Sequence, residues 1–138
     1  MVYSFRELET WQLANELKEG VFLLSGAEPV QRDFKFRDQL VDASRSVVRN
    51  IAEGYGRFRP KVFANFYDIA RGSLDETETC LRDGVASNYF PPESVGPLIV
   101  LVTRCRKAIN SHQAYLRSVQ DDPRFTGKSP KNLRKEPS

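Results

Sequence analysis

A single histidine, His112, is the one side chain in the chain suited by its ordinary pKa to general acid–base work near neutral pH. Catalytic use would need an oriented nucleophile and a third group to hold the ring, and no nucleophile motif accompanies it. His112 therefore reads as a core or boundary histidine held by a hydrogen bond. Asp75, Glu76 and Glu78 gather on one helix, but a di-iron bundle site needs Glu-x-x-His pairs and the sequence has none. Gly54-Tyr55-Gly56 has the glycine spacing of a phosphate loop, yet no strand precedes it and Arg59 stands in the third glycine's place. A helix cap explains those glycines, and Glu53 with Arg57 four residues on, flanked by Asn50, reads as turn architecture. Cys80 and Cys105 lie far apart with no C-x-x-C and read as buried thiols. No catalytic residue, metal ligand or cofactor is expected.

Basic side chains are the remaining chemistry. The net charge is +3 over 138 residues, with 28% charged and 40% hydrophobic residues. Those values suit one globular domain with a core of its own. From Gln120 onward five basic residues oppose three acids, so most of the excess lies there and the body is nearly neutral. No apolar run approaches the roughly 20 residues that span a bilayer, and no signal-like block opens the chain. The expected setting is cytoplasmic, without membrane contact.

Four helices must position these groups. Ser4 with Glu7 forms a capping-box pattern, with Tyr3 and Leu8 as its hydrophobic staple, and starts a helix running to about Leu24. Leu13, Leu17, Val21 and Leu24 share one stripe. Leu8, Trp11 and Phe22 lie roughly 160° away, either as a boundary of the same core or as a contact to another subunit. Asp33 caps a second helix to about Tyr55, with Phe36, Leu40, Ala43, Val47, Ile51 and Gly54 inward. Its outer Asp42 and Arg45, with Arg49, read as a paired, solvated face. Gly54 and Gly56 suit a left-handed C-cap. Pro60 opens the third helix, to about Val85, with Phe63, Phe66, Tyr67, Ala70, Leu74, Thr77 and Leu81 inward and Arg71–Asp75 and Glu78–Arg82 as outward pairs. Gly72 points away from that stripe. It marks close approach by another backbone or is simply tolerated.

After the Asn88–Pro92 turn, Leu98, Val102, Cys105, Ile109, His112, Leu116 and Val119 step by alternating fours and threes, as a bundle seam does. Ser94 to Val119 contains no acid, while Arg104, Arg106, Lys107 and Arg117 are basic. The architecture expected is all-α: an antiparallel up-down-up-down four-helix bundle over residues 1–119, followed by a flexible basic tail over 120–138. That topology collects Arg6, Arg57, Arg59, Lys61 and Arg117 at one pole. Arg59 and Lys61 stand at a helix N-terminus, where the dipole disfavours cations, which points to a use for them.

Several strings occur in order: Phe5-x-x-Leu8-x-x-Trp11-Gln12-x-Ala14, Gln39-Leu40, Ala43-Ser44-Arg45-Ser46, Asn50-Ile51-Ala52-Glu53-Gly54 and Ala70-x-Gly72-Ser73-Leu74-x-Glu76-x-Glu78. Over about residues 4–119 the chain resembles the bacterial four-helix-bundle family of 23S rRNA intervening-sequence proteins. The resemblance implies a homopentamer without enzymatic activity. It also implies kinship with the accessory variability protein of diversity-generating retroelements, which pairs with a reverse transcriptase and binds nucleic acid. Family members often carry paired arginines after the Gln-Leu; here Val41-Asp42 follows, so contact through the second helix is not carried over.

The function expected is a non-enzymatic homo-oligomer binding RNA or DNA through Arg57, Arg59, Lys61, Arg104, Arg106, Lys107 and Arg117. Leu8, Trp11, Phe22 and Gly72 are the candidate oligomer-interface residues. The alternative is a scaffold ring that presents aromatic surface to a protein partner.

Overall fold

The computed structural model describes residues 4–120, so Tyr3 and the basic tail lie outside the described residues. The Ser4 hydroxyl accepts from the Arg6 N–H at 3.2 Å, but it caps a single 3-10 turn, Phe5–Glu7, not an α-helix. Leu8 then adopts an extended conformation and α1 spans Glu9–Leu24. The separate turn has a physical reason. Gln12 Nε2 donates to the Arg6 carbonyl at 3.0 Å and the Phe5 ring packs on Trp11 at 5.4 Å, folding the entry segment back over α1.

A short helix the periodicity did not suggest, α2 (Glu28–Gln31), places Val30 in the core. Asp33 caps α3 (Phe34–Gly56) as expected, its Oδ1 accepting from the Phe36 N–H at 3.2 Å. Its other oxygen accepts from the Tyr89 hydroxyl at 2.6 Å, and these bonds, Tyr89's foremost, hold the carboxyl below the usual range.

The end of α3 departs from expectation. Neither Gly54 nor Gly56 is a left-handed cap: both lie within the helix, and Phe58 takes the positive φ, 56°. Gly54 is a packing glycine. A Cβ there would meet Phe63 Cδ1 at 2.7 Å and Phe66 Cβ at 2.8 Å. Phe58 pays the roughly 1–2 kcal/mol of a left-handed non-glycine residue, partly offset by its bond to the Tyr55 carbonyl (3.3 Å) and by the Tyr55 ring at 5.5 Å. Pro60 opens α4 (Pro60–Ala86) at its first position. The far end of α4 is a Schellman turn: Asn88 sits at φ 62°, Tyr89 N–H reaches the Gly84 carbonyl at 2.8 Å and Asn88 N–H reaches that of Val85 at 3.0 Å. α5 is Pro92–Ser118.

The four long helices pack in the cyclic order α1–α3–α4–α5, each antiparallel to both neighbours. Leu17, Val21, Leu40, Val47, Ile51, Tyr67, Leu74, Leu81, Val102 and Ile109 are fully enclosed. The α5 seam lies inward at Leu98, Val102, Cys105, Ile109 and Leu116, with His112 half-buried. Both cysteines are buried free thiols, and burial pushes Cys105 up to about 12. One polar chain crosses the core. The Thr10 hydroxyl lies 2.8 Å from the Tyr67 hydroxyl, which lies 2.6 Å from His112 Nδ1, joining α1, α4 and α5.

Candidate nucleic-acid interface

The acid-free α5 packs beside the acid-bearing α4, and the charges pair across that seam. Arg106 Nη2 lies 2.8 Å from Asp75 and 2.7 Å from Glu78, which also holds Arg82 at 2.9 Å. Hydrogen bonds from Arg106 first and Arg82 second hold the Glu78 carboxyl below its ordinary value. Arg117 lies 3.2 Å from Asp68. Arg71 turns to Asp68 at 2.6 Å, not to Asp75 as its spacing suggested, and also donates to Asn110 at 2.9 Å, while Asp75 pairs with Arg106. Gln113 completes the cluster. Its Nε2 donates to the Ala64 carbonyl and to Asp68, each at 2.8 Å, while its Oε1 accepts from Arg71 at 2.8 Å. Arg106 and Arg117 are thus neutralised by carboxylates of α4, which tie two helices together at the cost of their availability to phosphate.

The bundle's topology brings Arg57, Lys61 and Arg117 to one pole. Arg57 pairs with Glu53 at 2.7 Å and lies 5.2 Å over the Phe66 ring. Arg59 is the half-buried N-cap residue of α4. Lys61 Nζ donates to the Arg117 carbonyl at 3.4 Å, satisfying one of the orphan acceptors at the end of α5.

A different arrangement lines the groove between α1 and α5. Arg104 and Lys107 are exposed and form no ion pair among the described residues. They border a hollow of about 360 Å³ with Glu9, Leu13, Ala108 and Ser111. It adjoins a second hollow of about 410 Å³ that shares Glu9, Ala108 and Ser111 and adds Glu7, Leu8, Thr10, His112 and Tyr115. Tyr115 is 61% exposed, and its ring lies nearly parallel to that of His112, 17° apart with centroids at 6.3 Å. Burial holds the His112 imidazole below its ordinary pKa, so it backs the groove as a neutral ring. Sequence reasoning named the two cations and missed Tyr115, Ser111 and Glu9. The available signal was the continuation of the exposed α5 stripe, Arg104–Lys107–Ser111–Tyr115, at helical steps.

The candidate interface residues separate. Leu8 and Trp11 are half-buried against the core, whereas Phe22 is 55% exposed beside Leu23 at 81%. Those two line a hollow with Lys18, Glu19, Val41 and Arg45. Arg45 faces that hollow and makes no ion pair with Asp42 among the described residues. A Cβ at Gly72 would meet nothing within 4 Å, so no backbone of the described chain approaches it. Ile69, one turn earlier, is half-exposed.

The recognisable strings lie mainly along the α3–α4 seam. Gln39 Nε2 donates to Glu76 at 3.4 Å, the Ser46 and Ser73 hydroxyls meet at 2.7 Å, and Asn50 Nδ2 donates to the Ser46 carbonyl at 2.8 Å. Gly54 ends this run against Phe63 and Phe66. No cluster of three or more metal-ligating side chains occurs among the described residues, and no described helix is long and apolar enough to cross a membrane. Residues 6–111 match the family described as 23S rRNA-intervening sequence protein. No curated protein matches the chain. With most of its length matched, the chain belongs to the 23S rRNA-intervening sequence protein family.

Proposed function

We propose that this member of the 23S rRNA-intervening sequence protein family is a non-enzymatic, cytoplasmic, homo-oligomeric bundle that binds RNA, and that its contact surface is the α1–α5 groove. The observation that carries the reading is the partition of charge: Arg106 and Arg117 are paired with α4 carboxylates, while Arg104 and Lys107 stand exposed on the groove without an ion pair among the described residues. A single copy offers few phosphate contacts. A closed ring multiplies them, and the family resemblance implies five copies. The exposed Phe22–Leu23 surface and the open space over Gly72 support self-association.

Binding of a labelled, structured RNA followed against salt tests the reading. Affinity falls log-linearly with salt, and Arg104→Glu with Lys107→Glu weakens it by about ten-fold or more, while Arg106→Gln has a much smaller effect. Salt-independent affinity, or a double variant that binds like the parent, overturns it. Mass in solution tests assembly separately, and a monomer at micromolar concentration refutes that part. A gene placed within an rRNA operon assigns the chain to the rRNA branch, and one beside a reverse-transcriptase gene assigns it to the retroelement branch.

A second reading, a ring that presents aromatic surface to a protein partner, is favoured by the exposure of Phe22 and Leu23. A partner that stays bound after nuclease treatment supports it.

A further inference from the structure

The α1–α5 groove is not uniformly basic, and its asymmetry distinguishes between forms of nucleic acid. Glu9 and Ser111 border both hollows; one adds Arg104 and Lys107, the other adds Tyr115 and Glu7. Along α5 the interval from Arg104 to Tyr115 covers about 16 Å at 1.5 Å per residue, the reach of a few nucleotides. A duplex turns phosphates outward on both strands, so docking along this groove would set phosphates against Glu9. Glu9 also borders the hollow of the cations. What a flexible single strand adds is the freedom to place its phosphates at Arg104 and Lys107 while turning a base, and not a phosphate, toward Glu9.

The second hollow has the parts a base requires. Tyr115 is 61% exposed and its ring is steadied by the near-parallel His112, which is itself anchored to the buried Tyr67 at 2.6 Å. An aromatic face so placed stacks on any base. Glu9 borders the same hollow as an acceptor, and a carboxylate suits the exocyclic amino groups of adenine, cytosine and guanine, whereas uracil offers it only the ring N3–H.

We propose that the groove is a single-strand site: an unpaired, amino-bearing base stacks on Tyr115 with its amino group toward Glu9, and the adjoining phosphates lie at Arg104 and Lys107. This inference rests on the nucleic-acid reading given above and goes beyond it by naming the strand form and the base class.

Anisotropy of the full chain with labelled oligoadenylate, oligouridylate and a fully paired RNA duplex, all at one salt concentration, tests it. Oligoadenylate binds tightest. Tyr115→Ala weakens that binding by about ten-fold, Tyr115→Phe restores it, and Glu9→Ala removes the preference over oligouridylate. Melting curves confirm that the variants remain folded. If RNA binds with normal salt dependence but the duplex matches the strand, or Tyr115→Ala is silent, the single-strand site is wrong and the charge reading stands. If none of the three probes binds, both fall.

Discussion

The α3–α4 seam and the α1–α5 seam each join two antiparallel helices of the bundle, yet one is closed and the other is open. Between α3 and α4, Gly54 admits the Phe63 and Phe66 side chains, and the Ser46–Ser73 and Gln39–Glu76 bonds occupy polar groups along the margin. Between α1 and α5 a groove remains, with Arg104, Lys107 and Tyr115 at its edge and no ion pair taking up the two cations among the described residues. The difference teaches where to look. Groups that satisfy one another hold helices together, and groups left without partners at an open surface are available to a ligand. The strings by which the chain is recognised belong mainly to the closed seam.

The sharpest way to break this comparison is Gly54→Ala. Alanine is the better helix former by about 1 kcal/mol, but its methyl would overlap Phe63 and the Phe66 Cβ, and overpacking of that kind costs about 1–3 kcal/mol. The expected outcome is a net loss of stability in denaturant unfolding; a gain would show that the seam has slack. Next, Ser46→Ala leaves the Ser73 hydroxyl without its 2.7 Å partner and costs about 1 kcal/mol by the same measurement. Gly72→Ala has the opposite sign. Its methyl meets nothing within 4 Å, so unfolding measured on the monomer shows a gain of about 0.5–1 kcal/mol. Loss of assembly in that same variant would identify Gly72 as a contact between copies.

On the open seam, Tyr115→Ala and Lys107→Ala shift stability by no more than about 0.5 kcal/mol, as exposed positions do. A larger loss would make the groove structural. The smallest effect expected is a pH dependence through His112. Burial depresses its pKa in the folded chain, so the unfolded chain takes up the proton more readily below the ordinary value of 6.5. Stability is full above that value and declines as pH falls through it toward the folded pKa. His112→Gln removes that part of the slope in melts recorded across the window.

Much of this was legible beforehand. The three-and-four spacing of Leu98, Val102, Cys105, Ile109 and Leu116 reports burial directly, because a helix can hide only one face from water. Asp33 and Pro60 were readable as helix starts because capping is local chemistry. Gly54 was misread for the same reason. A local rule offered a left-handed cap, whereas the packing of two phenylalanines from α4 decided the matter and left the turn to Phe58. The surface charges were harder still. Arg104 and Arg106 are two residues apart in one basic run, but about 200° apart around the helix, so one faces the acids of α4 and the other the groove toward α1. The sequence by itself determined four amphipathic helices, their antiparallel order and the family. Only the tertiary structure decided which cations are paired and that Tyr115 stands exposed at the groove, because pairing depends on which helix lies alongside, and no spacing within one helix carries that information.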